Sequence, residues 1–122
     1  MVTMEELVVR AKAFCKRRGL PITYMEFKKT SRKPVPEPPY VVWLRRDSLR
    51  GSDTVGRLLV DVDGSFELYT DRNPDPALEE AFEAAVLPDI DYEKEQASIS
   101  SENMVQTSYD FRILQKRLKA NG

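Results

Sequence analysis

The stretch Val55-Gly56-Arg57-Leu58-Leu59-Val60-Asp61-Val62-Asp63-Gly64-Ser65-Phe66-Glu67-Leu68-Tyr69-Thr70 decides the fold. Leu58, Val60, Val62, Phe66 and Leu68 share one parity; Arg57, Asp61, Asp63, Ser65 and Glu67 share the other. A period of two is strand geometry, because successive side chains leave opposite faces. One face is apolar and the other polar, as in a half-buried antiparallel strand. Asp63-Gly64 is also a hairpin signal. A two-residue turn there would pair Val60 with Glu67 and mix the faces. One long strand bent at Gly64 is the preferred reading, with a three-residue hairpin loop as the second.

Upstream, Thr3-Met4-Glu5-Glu6 is a capping box, in which Thr3 can cap and Glu6 can reach back. Leu7, Val8, Ala11, Phe14 and Cys15 follow at helical spacing, with Arg10, Lys12, Lys16, Arg17 and Arg18 opposite. Gly19 stops this helix and Pro21 prevents its continuation, so it spans residues 3–18. Residues 22–27 are β-branched and aromatic and predict a strand. Residues 28–38 hold four cations and three prolines without apolar periodicity, and predict an exposed loop. Tyr40-Val41-Val42-Trp43-Leu44 predicts a short buried strand, and residues 45–54 a second polar loop.

Downstream, Asp75 caps a second helix with Pro76 in its first turn and Leu78, Ala81, Phe82 and Ala85 as its stripe, ending before Pro88. Residues 90–99 and 104–114 predict two strands around the Ser100-Ser101-Glu102-Asn103 turn, with Tyr109, Phe111 and Ile113 buried. Residues 115–122 predict a frayed basic tail. The order α-β-β-β-α-β-β lacks regular βαβ alternation. It predicts one α+β domain: an antiparallel or mixed sheet of about five strands carrying two helices. Phe14, Trp43, Phe66, Leu68, Phe82 and Phe111 should be buried together, and Cys15 belongs to the same core as a small hydrophobe.

A chain of 122 residues suits a single domain. It contains no histidine and one cysteine, which removes Ser-His-Asp and Cys-His catalysis, His-ligated metals and zinc fingers. The five glycines form no phosphate loop. No cofactor is expected. An acidic N-terminus, no long apolar run and a lone Cys15 fit a reducing cytoplasm rather than secretion or a membrane. The net charge of -1 hides opposed blocks: +7 over residues 1–52, -11 over 53–102 and +3 over 103–122. Such blocks suit a molecule that meets other proteins, or its own copies, through complementary patches.

Four segments carry a resemblance in their order and spacing. They are the opening helix with Gly19-Leu20-Pro21-Ile22-Thr23-Tyr24; Pro38-Pro39-Tyr40-Val41-Val42-Trp43-Leu44; Phe66-Glu67-Leu68-Tyr69-Thr70-Asp71 with the acidic helix from Pro76; and Ile99-Ser100-Ser101-Glu102-Asn103-Met104 leading into Tyr109-Asp110-Phe111. Over residues 3–114 the chain resembles the small tail-terminator, or tail-to-head joining, proteins of long-tailed bacteriophages and prophages. It departs from them in the longer basic loop at 28–38 and the basic tail. The resemblance implies a structural protein, without catalytic residue or cofactor. It implies a ring, commonly of six copies, that caps the tail tube, stops its growth and meets the head connector. DNA only passes through. The place implied is the host cytoplasm during assembly and then the head–tail junction. A head-closure component of the same junction is the alternative within this class.

Closing a ring from one chain needs head-to-tail contact. The expected interface sets Lys28, Lys29, Arg32, Lys33, Arg45 and Arg46, with Arg50, against Asp61, Asp63, Glu79, Glu80 and Glu83 of a neighbour. The same cations could touch phosphate, but dedicated DNA binders are usually basic overall and this chain is not. A competing enzyme reading takes Asp61, Asp63 and Glu67 as ligands for Mg²⁺ in phosphodiester cleavage, assisted by Lys94. A solvated strand face that discourages edge pairing accounts for those carboxylates better.

Overall fold

The computed structural model describes residues 2–27, 35–49 and 59–116. Helix α1, Met4–Arg18, starts where Thr3 Oγ1 accepts the Glu6 N–H at 3.2 Å. It ends at Gly19, whose φ of 68° lets the Leu20 N–H turn back to the Cys15 carbonyl at 2.8 Å. A side chain at that φ would strain the backbone. Helix α2, Pro76–Val86, is capped by Asp75, whose Oδ1 accepts the Leu78 N–H at 3.1 Å. Both helix readings hold.

The strands are β1 (Ile22–Tyr24), β2 (Tyr40–Leu49), β3 (Leu59–Asp71), β4 (Glu93–Ile99) and β5 (Met104–Lys116). They form one sheet in the order β1-β2-β3-β5-β4, parallel only between β1 and β2. The α+β class, the element order and the five-stranded sheet are as expected.

Strand bounds needed correction. β1 stops at Tyr24, where Met25 takes a φ of 69° and turns the chain. β2 runs five residues past Leu44, so residues 45–49 are strand rather than loop. Arg45, Asp47 and Leu49 pair with Gly64, Val62 and Val60, so β3 templates them despite their polarity. β4 begins at Glu93, not at residue 90. β5 includes Gln115 and Lys116, which the sequence assigned to the tail. Residues 28–34, 50–58 and 117–122, and with them most of the expected 28–38 loop and tail, lie outside the described residues.

β3 is one continuous strand through Gly64. No turn explains this glycine. A Cβ there would lie 2.4 Å from Phe111 Cε1 and 2.8 Å from Met4 Sδ, so the missing side chain admits Phe111 and α1 to the sheet. Gly64→Ala should cost about 1–3 kcal/mol by overpacking, read as a lower urea midpoint at unchanged slope; a midpoint equal to wild type would refute this packing.

Both helices lie on one face of the sheet, where Val41, Val60, Val62, Phe66, Leu68, Tyr109 and Phe111 meet Leu7, Phe14, Leu78 and Phe82. Trp43 is only half-buried at the margin of this core, its ring 4.4 Å from that of Tyr24. This corrects the expected full burial of Trp43. Cys15 is fully buried, and burial raises its thiol pKa to about 11. Only the thiolate reacts readily, so native protein should resist a thiol reagent at pH 8 and react completely in denaturant. Rapid native labelling would refute the placement.

Candidate assembly surfaces

Two polar networks lie inside the domain and engage residues that the sequence assigned to an interface. In the first, Arg45 Nη1 meets Glu5 Oε2 at 2.5 Å and Arg45 Nε meets Asp47 Oδ1 at 2.8 Å. Gln115, 2% exposed, donates to Glu5 Oε1 at 3.0 Å and accepts the Met4 N–H at 2.8 Å. This ties the start of α1 to β2 and β5. Partial burial works against the Glu5 charge, but Arg45, Gln115 and the local backbone outweigh it and hold the carboxyl below its ordinary 4.5. A depressed carboxylate pKa stabilises above the unfolded value, and that stability is lost as pH falls through the folded one. Glu5→Gln should therefore cost on the order of 1 kcal/mol at pH 7, screened because the pair is part-exposed. The deficit should fade as pH drops below about 4.5. A deficit that stays constant as the pH falls through the acid range to full protonation would exclude the carboxylate as its cause.

In the second network Lys94 Nζ bridges Glu79 Oε1 at 2.9 Å and Glu83 Oε2 at 2.7 Å. Gln96 donates to Glu79 at 2.8 Å and to Thr107 at 3.0 Å, and the Tyr109 hydroxyl donates to Glu83 at 2.9 Å. Burial opposes the Lys94 charge, yet the two carboxylates hold its pKa above the ordinary value. Burial, then Glu83, push the Tyr109 phenol well upward. Glu79 is 4% exposed and Glu83 half-buried. The expectation that Glu79 and Glu83 offer free negative charge to a neighbour is corrected: Lys94 bridges both carboxylates within the domain and offsets one of their two charges, and Gln96 and Tyr109 hold the rest of their oxygens. Of that helix's three candidates only Glu80 is exposed. Arg45 is likewise corrected, being held by Glu5 and Asp47. Arg46 is exposed, opposite Asp63 in register. Lys28, Lys29, Arg32, Lys33 and Arg50 lie outside the described residues.

The outer surfaces are more informative. No described element covers the second face of the sheet. β3 turns Asp61, Asp63, Glu67 and Asp71 to it, β4 adds Glu93 and Glu95, and β5 adds Asp110. Against these seven carboxylates stand three cations, Arg46, Arg112 and Lys116. Arg112 Nε pairs with Asp63 Oδ1 at 2.8 Å. The Tyr69 hydroxyl donates to Glu67 at 3.0 Å. Alternate residues along a strand stand about 6.5–7 Å apart, so Asp61, Asp63 and Glu67 form a row and do not converge. Among the described residues no three His, Cys, Asp or Glu side chains are grouped to hold a metal ion. Ser65, in mid-face between Leu44 and Asp110, is buried with its Oγ unpartnered.

At one end this acidic face becomes apolar. Tyr40 stacks on Tyr69 with centroids 5.0 Å apart, Phe27 meets Tyr40 edge-on at 5.1 Å, and Val42 and Met104 complete the cluster. A groove of about 420 Å³ opens beside them, with Met25 and Val35 exposed along it and Glu26 and Glu102 in its lining.

The opposite surface of the domain is the outer side of α1. Val9 is 67% exposed there, and Lys12, Lys16, Arg17 and Arg18 are exposed after it. The sequence sets these cations opposite the apolar stripe of the helix but does not mark them as a contact surface. The signal was present: four cations opposite an apolar stripe must face outward. Among the described residues no helix is long and apolar enough to cross a membrane. No protein-family model matches the chain, and no curated protein is significantly similar to it.

Proposed function

We propose that this chain is a virion assembly protein of a long-tailed phage or prophage. In this reading its copies form a ring, six in the resembled family, that caps the tail tube and joins it to the head connector, and no chemical step is involved. The observation that carries the reading is a two-layer domain with opposite charge on its two outer surfaces. An acidic sheet face that no described element covers backs a cationic helix face. Two different surfaces of one chain can meet head to tail, the class of contact that closes a ring when the rotation between copies returns to its start and runs on as a filament when it does not. The linear row of Asp61, Asp63 and Glu67, with Asp63 held by Arg112, speaks against the nuclease alternative.

The test is addition of the protein to growing tail tubes of the phage that encodes it. Tubes should stop at uniform length with one ring at the end. Tubes that grow past that length, uncapped, would refute the terminator role. Binding to DNA-filled heads in place of tubes would move the protein to the connector side of the junction.

A further inference from the structure

The uncovered sheet face and the outer face of α1 are complementary in charge, in apolar content and in size. We propose that the cationic face of α1 in one copy seats on the acidic open face of the sheet in the next copy. This rests on the ring reading for its purpose, but the contact needs no tube.

Charge selects the pairing. Among the described residues, the open face has four carboxylates more than cations. Lys12, Lys16 and Arg17 make no ion pair among the described residues. Glu5 and Arg10, nearer the start of the helix, are held by Arg45 and Asp89. The outward charge of the C-terminal half of α1 is therefore positive. A two-fold dimer would set acid on acid or base on base, and like charges across an interface are costly. Only front-to-back contact brings the two signs together, and it leaves the sheet face of one copy and the helix face of the other still open.

Apolar contact supplies the affinity that exposed charges cannot. Val9, Ala13 and Lys16 follow one line along the helix at i, i+4 and i+7. Val9 is largely exposed and Ala13 partly so. The Phe27–Tyr40–Tyr69–Met104 end of the sheet offers the matching apolar groove, with Glu102 and Glu67 within the same neighbourhood. Size is compatible. The fifteen residues of α1 span about 22 Å at 1.5 Å each. The thirteen of β3 span about 43 Å at 3.3 Å each. The charges then set register and direction, while the groove holds Val9.

Zero-length carbodiimide cross-linking tests this, because it joins lysine amines directly to carboxylates. Equal amounts of unlabelled and ¹⁵N-labelled protein are mixed at low salt and high concentration. Mixed-isotope links identify contacts between copies. The expected result is mixed links from Lys12 and Lys16 to Glu67, Asp71 or Glu102, falling at least tenfold in 0.5 M salt. Because Lys12→Glu with Lys16→Glu also removes the linkable amines, that variant is read by sedimentation. Its self-association should be lost, and a partner carrying Glu67→Lys with Asp71→Lys should restore association with it and give links from the new lysines to the carboxylates introduced at positions 12 and 16 in place of the lost ones. Mixed links on other surfaces, their complete absence, or association indifferent to the charge swap would each overturn the proposal. The outcome separates from the ring reading. If Lys12→Glu/Lys16→Glu protein still caps tail tubes at wild-type occupancy, the virion role stands and this interface falls. If wild-type protein links as expected yet leaves tubes uncapped, the interface stands and the virion role falls.

Discussion

Phe82→Ala should lower the unfolding free energy by about 3–5 kcal/mol, the usual cost of truncating a core aromatic. Phe82 is fully buried on the inner side of α2. Its ring meets Phe14 of α1 at 5.5 Å, Phe66 of β3 at 5.6 Å and Tyr109 of β5 at 5.4 Å. Three elements therefore lose a shared partner at once. Two of those contacts are edge-on, the favourable arrangement for aromatic quadrupoles. The cavity left cannot collapse easily, because the sheet beneath is rigid and both helices are capped. A small domain has about 5–15 kcal/mol to lose, so the variant sits near the folding threshold. Urea denaturation should show a much lower midpoint at similar slope; a shift worth under 1 kcal/mol would place Phe82 outside the core.

Lys94→Met should be the second most damaging change, at about 2–4 kcal/mol near neutral pH. Removing one member of a buried pair strands the other charge. Glu79 would keep its hydrogen bond from Gln96 and Glu83 its bond from Tyr109, but neither would face a cation. The cost stays below the full buried-pair value because the Lys94 side chain is 35% exposed and water reaches it. Adding Glu79→Gln to Lys94→Met should recover at least half of the loss, since the amide needs no counter-charge. If Lys94→Met unfolds at the wild-type midpoint, or the double variant recovers nothing, stranded charge is not the cause.

The parts of the fold legible in sequence are those in which local chemistry and tertiary packing agree. Thr3 and Gly19 bracket α1, Asp75 and Pro76 open α2, and the alternation through Phe66 and Leu68 marks β3 even across a glycine. The misreadings are places where a distant partner decides. Arg45 and Asp47 look like loop residues, yet β3 supplies their ladder, and Glu5, some forty positions earlier, supplies a counter-charge for Arg45. Glu79 follows Leu78 on the helix and reads as solvent-facing; only Lys94 and Gln96 on another strand make its burial tolerable. Gln115 reads as tail because apolarity is the usual mark of burial, and its partners Met4 and Glu5 lie at the other end of the chain. The acidic face was legible as alternation and the cationic helix face as the side opposite an apolar stripe; that the two lie on opposite sides of one domain took the packing of α1 on the sheet to show.

The bond from the Met4 amide to Gln115 joins positions 111 apart in sequence. It has a consequence for synthesis on the ribosome. β5 is the last described element to emerge, and it lies between β3 and β4 in the sheet. Until it arrives, thirteen residues of β3 have one unpaired edge and α1 lacks its anchor at Gln115. Closing such distant pairings is slow because loop entropy is lost before the contacts form. Helix α1 and the β2–β3 pair must therefore wait, exposed, for the final strand. Folding of this domain is a late event, completed after its last strand has left the exit tunnel, and in that interval the bare β3 edge is where holding chaperones should bind.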